Sequence, residues 1–372
     1  MRSAIPYVNL AAQFEEEREE LLAVVTRVLS DGMLVGGPEV PELESRLAAL
    51  CGAEHAVALN SGTDALILGL RALDIGPGDE VITPPNSFVA STAAVVAVGA
   101  RPVFADVLPD QNIDPDAVEA VITPRTRAIM PVHLTGRVCN MDAIMEIARR
   151  HGVHVIEDAA QAIGSKYRGR PAGSCRAVGC FSTHPLKNLN AIGDGGFVTT
   201  SDAKIADRIR KLRNHGLIDR DTVTEFGFVS RIDTLQAAIL LMRLERLPSI
   251  IERRRRNARL YQQLLDRSFV FLPDCKDEQF NTFHTFVIQT DRRDELKQYL
   301  AEHGIGTAIH YPIPIHLQPA AKPLGHRKGD FPVTERQAER ILTLPVNQFM
   351  TEDDVRRVAE AVNRFHKKRA AA

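Results

Sequence analysis

The sequence predicts an α/β protein: a mostly parallel sheet covered by helices on both faces, followed by a smaller α+β domain. Three observations carry this. Short apolar runs alternate with helical patterns through the first half of the chain. A crossover helix with a glycine stop separates two of those runs. The length of 372 residues suits two packed domains or one large domain with an appendage.

Taken in order, HAVALN (55–60) reads as a buried strand and DALILGLRAL (64–73) as the helix after it. DEVITPP, ASTAAVVAVGA, RPVFADV, RAIMPVHL and HVIEDA repeat the cycle, with DAIMEIARRHG as a crossover helix closed by Gly152. Helices on both faces imply parallel strands, and such sheets bind ligands beyond the carboxyl ends of those strands. GGFVTTSD gives a further strand and KIADRIRKLRNHG an amphipathic helix. From Asp233 the pattern is helical through LQAAILLMRLERL and NARLYQQLLDR, with a break expected at Pro248. HTFVIQT reads as a strand, DELKQYLAEHGIGTAIHYP as a helix running into a strand, and EDDVRRVAEAVNRF as a closing helix. The expected division is a large ligand-binding domain over residues 1–246 and a small C-terminal domain over 247–372.

Composition excludes several classes. Hydrophobic content of 44%, charged content of 25% and a formal charge of −1 describe a globular protein with no electrostatic bias toward nucleic acid. MRSAIPYVNL lacks the apolar core of a signal peptide, and no run approaches the roughly 20 residues of a membrane span, so a cytoplasmic location is expected. Cys51, Cys139, Cys175, Cys180 and Cys275 form no CxxC pair and are odd in number, so reduced thiols are expected and no metal site. ERRRR (252–256) points in several directions on a helix, as a solvated face or subunit contact would.

Four segments are candidates for one ligand site. In NSGTDAL (60–66), Ser61, Gly62 and Thr63 would present hydroxyls and N–H groups at the positive end of a helix, a place for a phosphate; the alternative is a plain helix cap. The segment is not a Walker loop and GxGxxG is absent, so ATP and NAD find little support. Phe88, in PPNSFVAS, follows a strand and can stack on a planar ring or fill the core. Glu157 and Asp158 follow an apolar strand, where one carboxylate can grip a cationic ring nitrogen or simply cap a helix, and Gln161 sits one turn later. In FSTHPLKNLNAIGDGG, Pro185 stiffens the approach to Lys187, and Gly193, Gly195 and Gly196 are expected to leave through a backbone conformation closed to larger residues. A phosphate cup, a ring-gripping carboxylate and a lysine together match pyridoxal 5′-phosphate, with Lys187 as its Schiff-base partner.

Over nearly its whole length the chain resembles the DegT/DnrJ/EryC1/StrS family of pyridoxal-phosphate sugar aminotransferases, of the aspartate-aminotransferase fold. The resemblance rests on NSGTDAL, GPGDEVITPPNSFVAS, GARPVFADV, ITPRTRAIMPVHLTGR, VIEDAAQAIGSKYRGRPAGS, FSTHPLKNLNAIGDGG, SRIDTLQAAIL and HYPIPIHLQPA in that order. It implies a seven-stranded sheet sandwiched by helices. It also implies Gly62, Thr63 and Ser182 as phosphate ligands, Phe88 stacked on the ring, Asp158 at the ring nitrogen, Gln161 beside the ring hydroxyl and Lys187 as catalytic lysine. His310 and Tyr311, in HYPIPIH, fall in the family segment bordering the sugar pocket; the alternative is a turn stiffened by Pro312 and Pro314. His184 and Arg231 are further candidates for substrate contact.

The resemblance implies glutamate as amino donor, a nucleotide-linked keto sugar as acceptor, pyridoxamine phosphate as the intermediate cofactor form, and a homodimer with shared active sites. Arg213–Leu217 and the loop around Val229 are the segments expected to cross between subunits. One departure stands out: where many members carry an asparagine that reaches the neighbouring subunit's phosphate, this chain has Val229, which cannot make that bond. HPLKNLN is also similar to members acting on a free eight-carbon sugar acid, so that substrate class stays open. A dehydratase, in which histidine replaces the lysine, is disfavoured by Lys187, and a non-catalytic regulatory protein by the joint presence of Asp158, Ser182 and Lys187.

Overall fold

A computed structural model describes residues 4–174 and 177–370. The chain opens with α1 (Leu10–Asp31), whose cap Asn9 accepts from Ala12 N–H and whose end is turned by Gly32 at φ 71°, and α2 (Glu39–Cys51). The predicted cycle follows as β1 (His55–Leu59), α3 (Gly62–Ala72), β2 (Glu80–Thr83), α4 (Val89–Ala97), β3 (Arg101–Phe104), α5 (Pro115–Ala120) and β4 (Thr126–Ile129). Next come α6 (Met141–His151), capped by Asn140 and closed by Gly152 at φ 65°, and β5 (His154–Asp158). A small hairpin, β6 (Lys166–Tyr167) with β7 (Arg170–Pro171), leads to β8 (Val178–Ser182), β9 (Gly196–Thr200) and α7 (Ala203–Leu212). The remainder holds α8 (Thr234–Leu264), β10 (Gln279–Phe280), β11 (Phe286–Gln289), α9 (Arg293–Glu302), α10 (Pro332–Arg340), β12 (Ile341–Leu344) and α11 (Glu352–Ala370).

Seven strands form one sheet in the order β1-β9-β8-β5-β4-β2-β3. Only β9 runs antiparallel to its neighbours β1 and β8, so the expected mostly parallel sheet is present. Along each strand successive side chains enter different cores. Val57, Val81, Ala128, Ile156, Cys180 and Val198 pack against α3, α4 and α7. Ala56, Ile82, Ile129, Val155, Phe181 and Phe197 pack against α2, α6 and α8. Both faces are therefore dry, and each fully buried Leu or Ile stabilises by about 1.5–3 kcal/mol.

A third cluster gathers Tyr261, Phe286, Ile288, Leu296, Leu342, Leu344, Val358 and Val362 around β11, β12, α9 and α11. Helix α8 joins it to the sheet, and here one expectation fails: Pro248 lies inside a single 31-residue helix rather than ending one. Proline removes one hydrogen bond, but Leu244, Leu247 and Ile251 are packed against the sheet on both sides of it, which holds the helix together across the gap. The strand expected in GIGTAIHYP also shrinks, to two isolated bridges, Ile305 with Ile5 and Ala308 with Thr343. Pro312 and Pro314 follow at once and have no N–H to extend a ladder.

The arginine run resolves into separate contacts: Arg253 reaches Glu16, Arg254 is buried, Arg255 lies over the Phe280 ring and Arg256 reaches Met350 O. Cys51, Cys139, Cys180 and Cys275 are free thiols, and Cys175 lies outside the described residues. Among the described residues no helix is long and apolar enough to cross a membrane.

Candidate active site

The carboxyl ends of β1, β2, β5 and β8 lie on one edge of the sheet, where the antiparallel β9 begins. Its first residue, Gly196, pairs with Leu59 on one side and Ser182 on the other. That register brings the segment after β1 against the end of β8, although about 120 residues separate them in sequence.

The result is a cradle. Ser61 caps α3 by accepting from Asp64 N–H at 3.0 Å, so the plain-cap reading holds for that residue. Gly62 and Thr63, the first residues of α3, precede the first intrahelical bond and leave their N–H groups open. A Cβ on Gly62 would lie 2.6 Å from Ser182 Cβ, and one on Gly196 2.6 Å from Gly62 N. Only glycine allows these three segments to meet at the helix's positive end.

The two adjacent carboxylates separate by strand parity. Asp158 shares its face with Ile156, and its Oδ2 accepts from Ser91 Oγ at 2.7 Å, one turn into α4. Glu157 points to the other face, where its Oε2 lies 2.9 Å from His133 Nε2 and accepts from Gly173 N–H at 2.8 Å. The same helix carries Phe88 as its N-cap residue, 54% exposed, with its ring centroid 5.6 Å from that of Tyr311. Gln161 is buried and its Oε1 accepts from Thr135 N–H at 2.8 Å.

Lys187 sits in a loop tied at both ends. Thr183 N–H donates to Gly195 O at 2.8 Å, and Ala191 N–H to Thr183 O at 2.7 Å. Lys187 N–H closes a turn on His184 O at 2.8 Å, and Asn190 Nδ2 ties Pro185 O at 2.7 Å and Gln13 of α1 at 3.0 Å. The glycine exit works differently from expectation. Neither Gly193, Gly195 nor Gly196 lies at positive φ. Gly195 is needed for space, because a Cβ there would strike the Thr183 hydroxyl.

Burial pulls the Lys187 amine down from its ordinary 10.5 to about 8, and the Asp158 carboxylate opposes that shift. An amine and a carboxylate in each other's field, beside a glycine cradle, constitute a site able to hold an anionic aldehyde. His310 also belongs to it. Its Nδ1 lies 2.9 Å from Thr343 Oγ1, and burial, reinforced by Lys187, pushes it down to about 4. Burial raises the Tyr311 hydroxyl well above its usual value, with Gln161 opposing the shift.

Other candidates lie differently. His184 is exposed and its Nδ1 accepts from Leu186 N–H at 3.3 Å, a local turn contact. Arg231 is exposed and donates to Asn214 Oδ1 at 3.1 Å. Val229 is 54% exposed and pairs with Asn214 in a short bridge, while its neighbour Ser230 donates to Asn60 Oδ1 at 3.1 Å.

Residues 15–363 match the model of the DegT/DnrJ/EryC1/StrS aminotransferase family. The chain belongs to that family. It is 44% identical over 363 residues to the dTDP-3-amino-3,4,6-trideoxy-alpha-D-glucose transaminase of Streptomyces venezuelae, covering 97% of this chain and 96% of that one. It is 43% identical to the UDP-N-acetyl-3-dehydro-alpha-D-glucosamine 3-aminotransferase of Acidithiobacillus ferrooxidans, covering 97% and 98%. The crystal structure of S. venezuelae DesV superposes with a TM-score of 0.96 at 43% identity, covering 98% of this chain and 99% of that one. Bacillus subtilis NtdA, solved with bound pyridoxamine phosphate, superposes at 0.92 with 33% identity, covering 99% and 86%.

The DegT/DnrJ/EryC1/StrS enzymes depend on pyridoxal 5′-phosphate, and the residues here fit that group. The cradle at Gly62, Ser182 and Gly196 is a space that a Cβ would fill, and Asp158 offers a buried carboxylate beside an exposed aromatic ring. Sequence reasoning missed Ser91, because a serine inside an apolar helix gives no signal until the strand opposite is known. It also passed over Tyr7, Arg254 and His284. Arg254 was hidden in a basic run whose members look alike in sequence and separate only when α8 is docked.

Proposed function

We propose that this aminotransferase moves an amino group from glutamate to a nucleotide-linked keto sugar, with Lys187 and Asp158 as catalytic residues. The observation that carries the reading is the glycine cradle where Gly62, Ser182 and Gly196 meet at the positive end of α3, on the same sheet edge as the buried Asp158 carboxylate and the tied loop of Lys187. Pyridoxal 5′-phosphate, when bound, supplies an aldehyde to take up the amino group and a protonated ring to draw electrons from the carbon that loses a proton. Lys187 would hold the aldehyde at rest. Freed from it, the Lys187 amine would accept a proton from the donor's α-carbon and could return it elsewhere.

In this reading Asp158, oriented by Ser91, keeps the ring nitrogen protonated. Gly62, Thr63 and Ser182 would hold the phosphate, Phe88 would lie against the ring, and Gln161 would stand beside the ring hydroxyl. His310 and Tyr311 border the acceptor pocket. A nucleotide-linked acceptor is supported by the dTDP and UDP sugars in the names of the two relatives. The exposed pairing of Arg231 with Asn214 leaves the free sugar acid without a buried cation from that residue.

A homodimer with shared sites is supported by apolar side chains left on the surface, among them Leu22, Leu29, Met33, Phe226 and Val229. The working location is the cytoplasm. A separate small C-terminal domain is supported by the cluster around β11 and β12, although the boundary at 246 and 247 falls inside α8, whose Leu247 and Ile251 still pack against the sheet.

The test is borohydride reduction of the holoenzyme followed by peptide mass spectrometry, with a panel of keto sugars assayed against glutamate. The pyridoxyl mass is expected on Lys187, and turnover with a nucleotide sugar. An unmodified Lys187 overturns the catalytic assignment; turnover of free sugar acids alone overturns the acceptor class.

A further inference from the structure

Beside Lys187 lies a small cavity walled by Tyr7, Leu186, Arg254, His284, His310 and Asn347. A second cavity shares Leu186, Arg254 and Asn347 with it and is bordered by Lys187 itself. Neither wall contains an aspartate or glutamate. Arg254 is 6% exposed and spends its known hydrogen bonds on neutral acceptors: Gln348 Oε1 at 3.2 Å, Phe283 O at 3.2 Å and His284 O at 3.1 Å. Its Nη2 takes no partner among the described residues.

A buried guanidinium without a counter-ion is costly, and burial lowers Arg254 to about 10. The other walls donate as well. The Tyr7 hydroxyl, raised to about 12, stays protonated and also lacks a partner among the described residues. His284 Nδ1 is buried without a partner, and burial with nearby cations keeps both histidines neutral. The cavity thus offers one uncompensated cation and several neutral polar groups, with Leu186 and Val346 as apolar sides. A carboxylate has the charge, size and acceptor geometry to complete it.

We propose that this cavity receives a carboxylate of the amino donor, with Arg254 as its principal ligand and Tyr7 and His284 as supporting ones. The inference rests on the reading of Lys187 as the proton-carrying amine. The donor's α-carboxylate is one bond from the carbon that loses a proton, so it must lie beside that amine. A nucleotide-linked sugar is far too large for the space.

Glutarate, a dicarboxylate with no amino group to transfer, isolates binding from turnover. Calorimetry on the holoenzyme is expected to show glutarate binding that weakens at least ~10-fold in Arg254→Gln, as loss of a charge-assisted hydrogen bond predicts, and less in Tyr7→Phe. The glutamate KM of the donor half-reaction should rise with it, while the borohydride adduct on Lys187 persists. Wild-type affinity for glutarate in both variants, no glutarate binding by the wild type, or loss of affinity for glucuronate alone overturns the proposal. Should Arg254→Gln fail to fold, Tyr7→Phe decides. A wild type that binds glutarate but is bleached by no amino acid would instead overturn the reading of Lys187 as the proton-carrying amine.

Discussion

Ser91 Oγ donates a 2.7 Å hydrogen bond to Asp158 Oδ2 from the helix whose N-cap residue is Phe88. One short helix thus sets both the carboxylate and the aromatic ring. Hydrogen bonds to a charged group contribute about 1.5–3 kcal/mol, so Ser91→Ala should weaken cofactor binding by roughly 10-fold or more. Titration of the cofactor into cofactor-free protein measures this, and Ser91→Thr should restore most of it.

The Lys187 shift carries a stability consequence. Unfolded, the amine titrates near 10.5, and folded near 8. Between these values the unfolded chain binds more protons, so stability rises with pH across that window and the penalty is fully present below about 8. In the cofactor-free protein Lys187→Met should remove a penalty of about 3 kcal/mol at pH 7. Denaturant midpoints of the two proteins should converge above pH 10.5, and equal midpoints at pH 7 would refute the shift.

Asp158→Asn removes the charge that holds the lysine up. The amine should then titrate below about 8, and the pH midpoint for cofactor loading should move down. A midpoint that stays fixed would separate the two groups electrostatically.

Gly196→Ala pushes a methyl group into the turn that opens α3. Affinity for pyridoxal phosphate should fall at least ~10-fold, the scale of one displaced charge-assisted contact, while affinity for pyridoxal, which lacks the phosphate, changes little. Equal losses for both would mean that the whole site has shifted.

Glu157→Ala strips a partner from His133 Nε2 and Gly173 N–H, both buried. Leaving such groups unsatisfied costs about 1–3 kcal/mol each. The midpoint of urea unfolding should fall accordingly, and Glu157→Gln should recover part of the loss.

The fold was legible where one physical signal dominated. Continuous apolar runs between helical patterns located β1, β2, β4, β5 and β9, and Gly152 marked the end of α6. Pro248 misled because local backbone chemistry was outweighed by packing on both sides of it. The glycines after Lys187 misled differently: sequence shows that a side chain is unwelcome but not whether dihedral angle or crowding is the reason. For the site, the segments at 60–63, 158 and 187 could be grouped because each lies beyond an apolar run, and Ser182 was reached only through the family resemblance. Ser91 and Arg254 could not, since their importance depends on which distant element they face.

Asn347 Nδ2 holds Pro6 O and Tyr7 O, each at 3.3 Å, and Ile5 bridges to Ile305. The wall beside the lysine is thus sewn together from positions 340 residues apart. Closing so long a span is entropically unfavourable and slow. Proteolytic loss of the first strand-like stretch should therefore open the pocket while the central sheet stays intact.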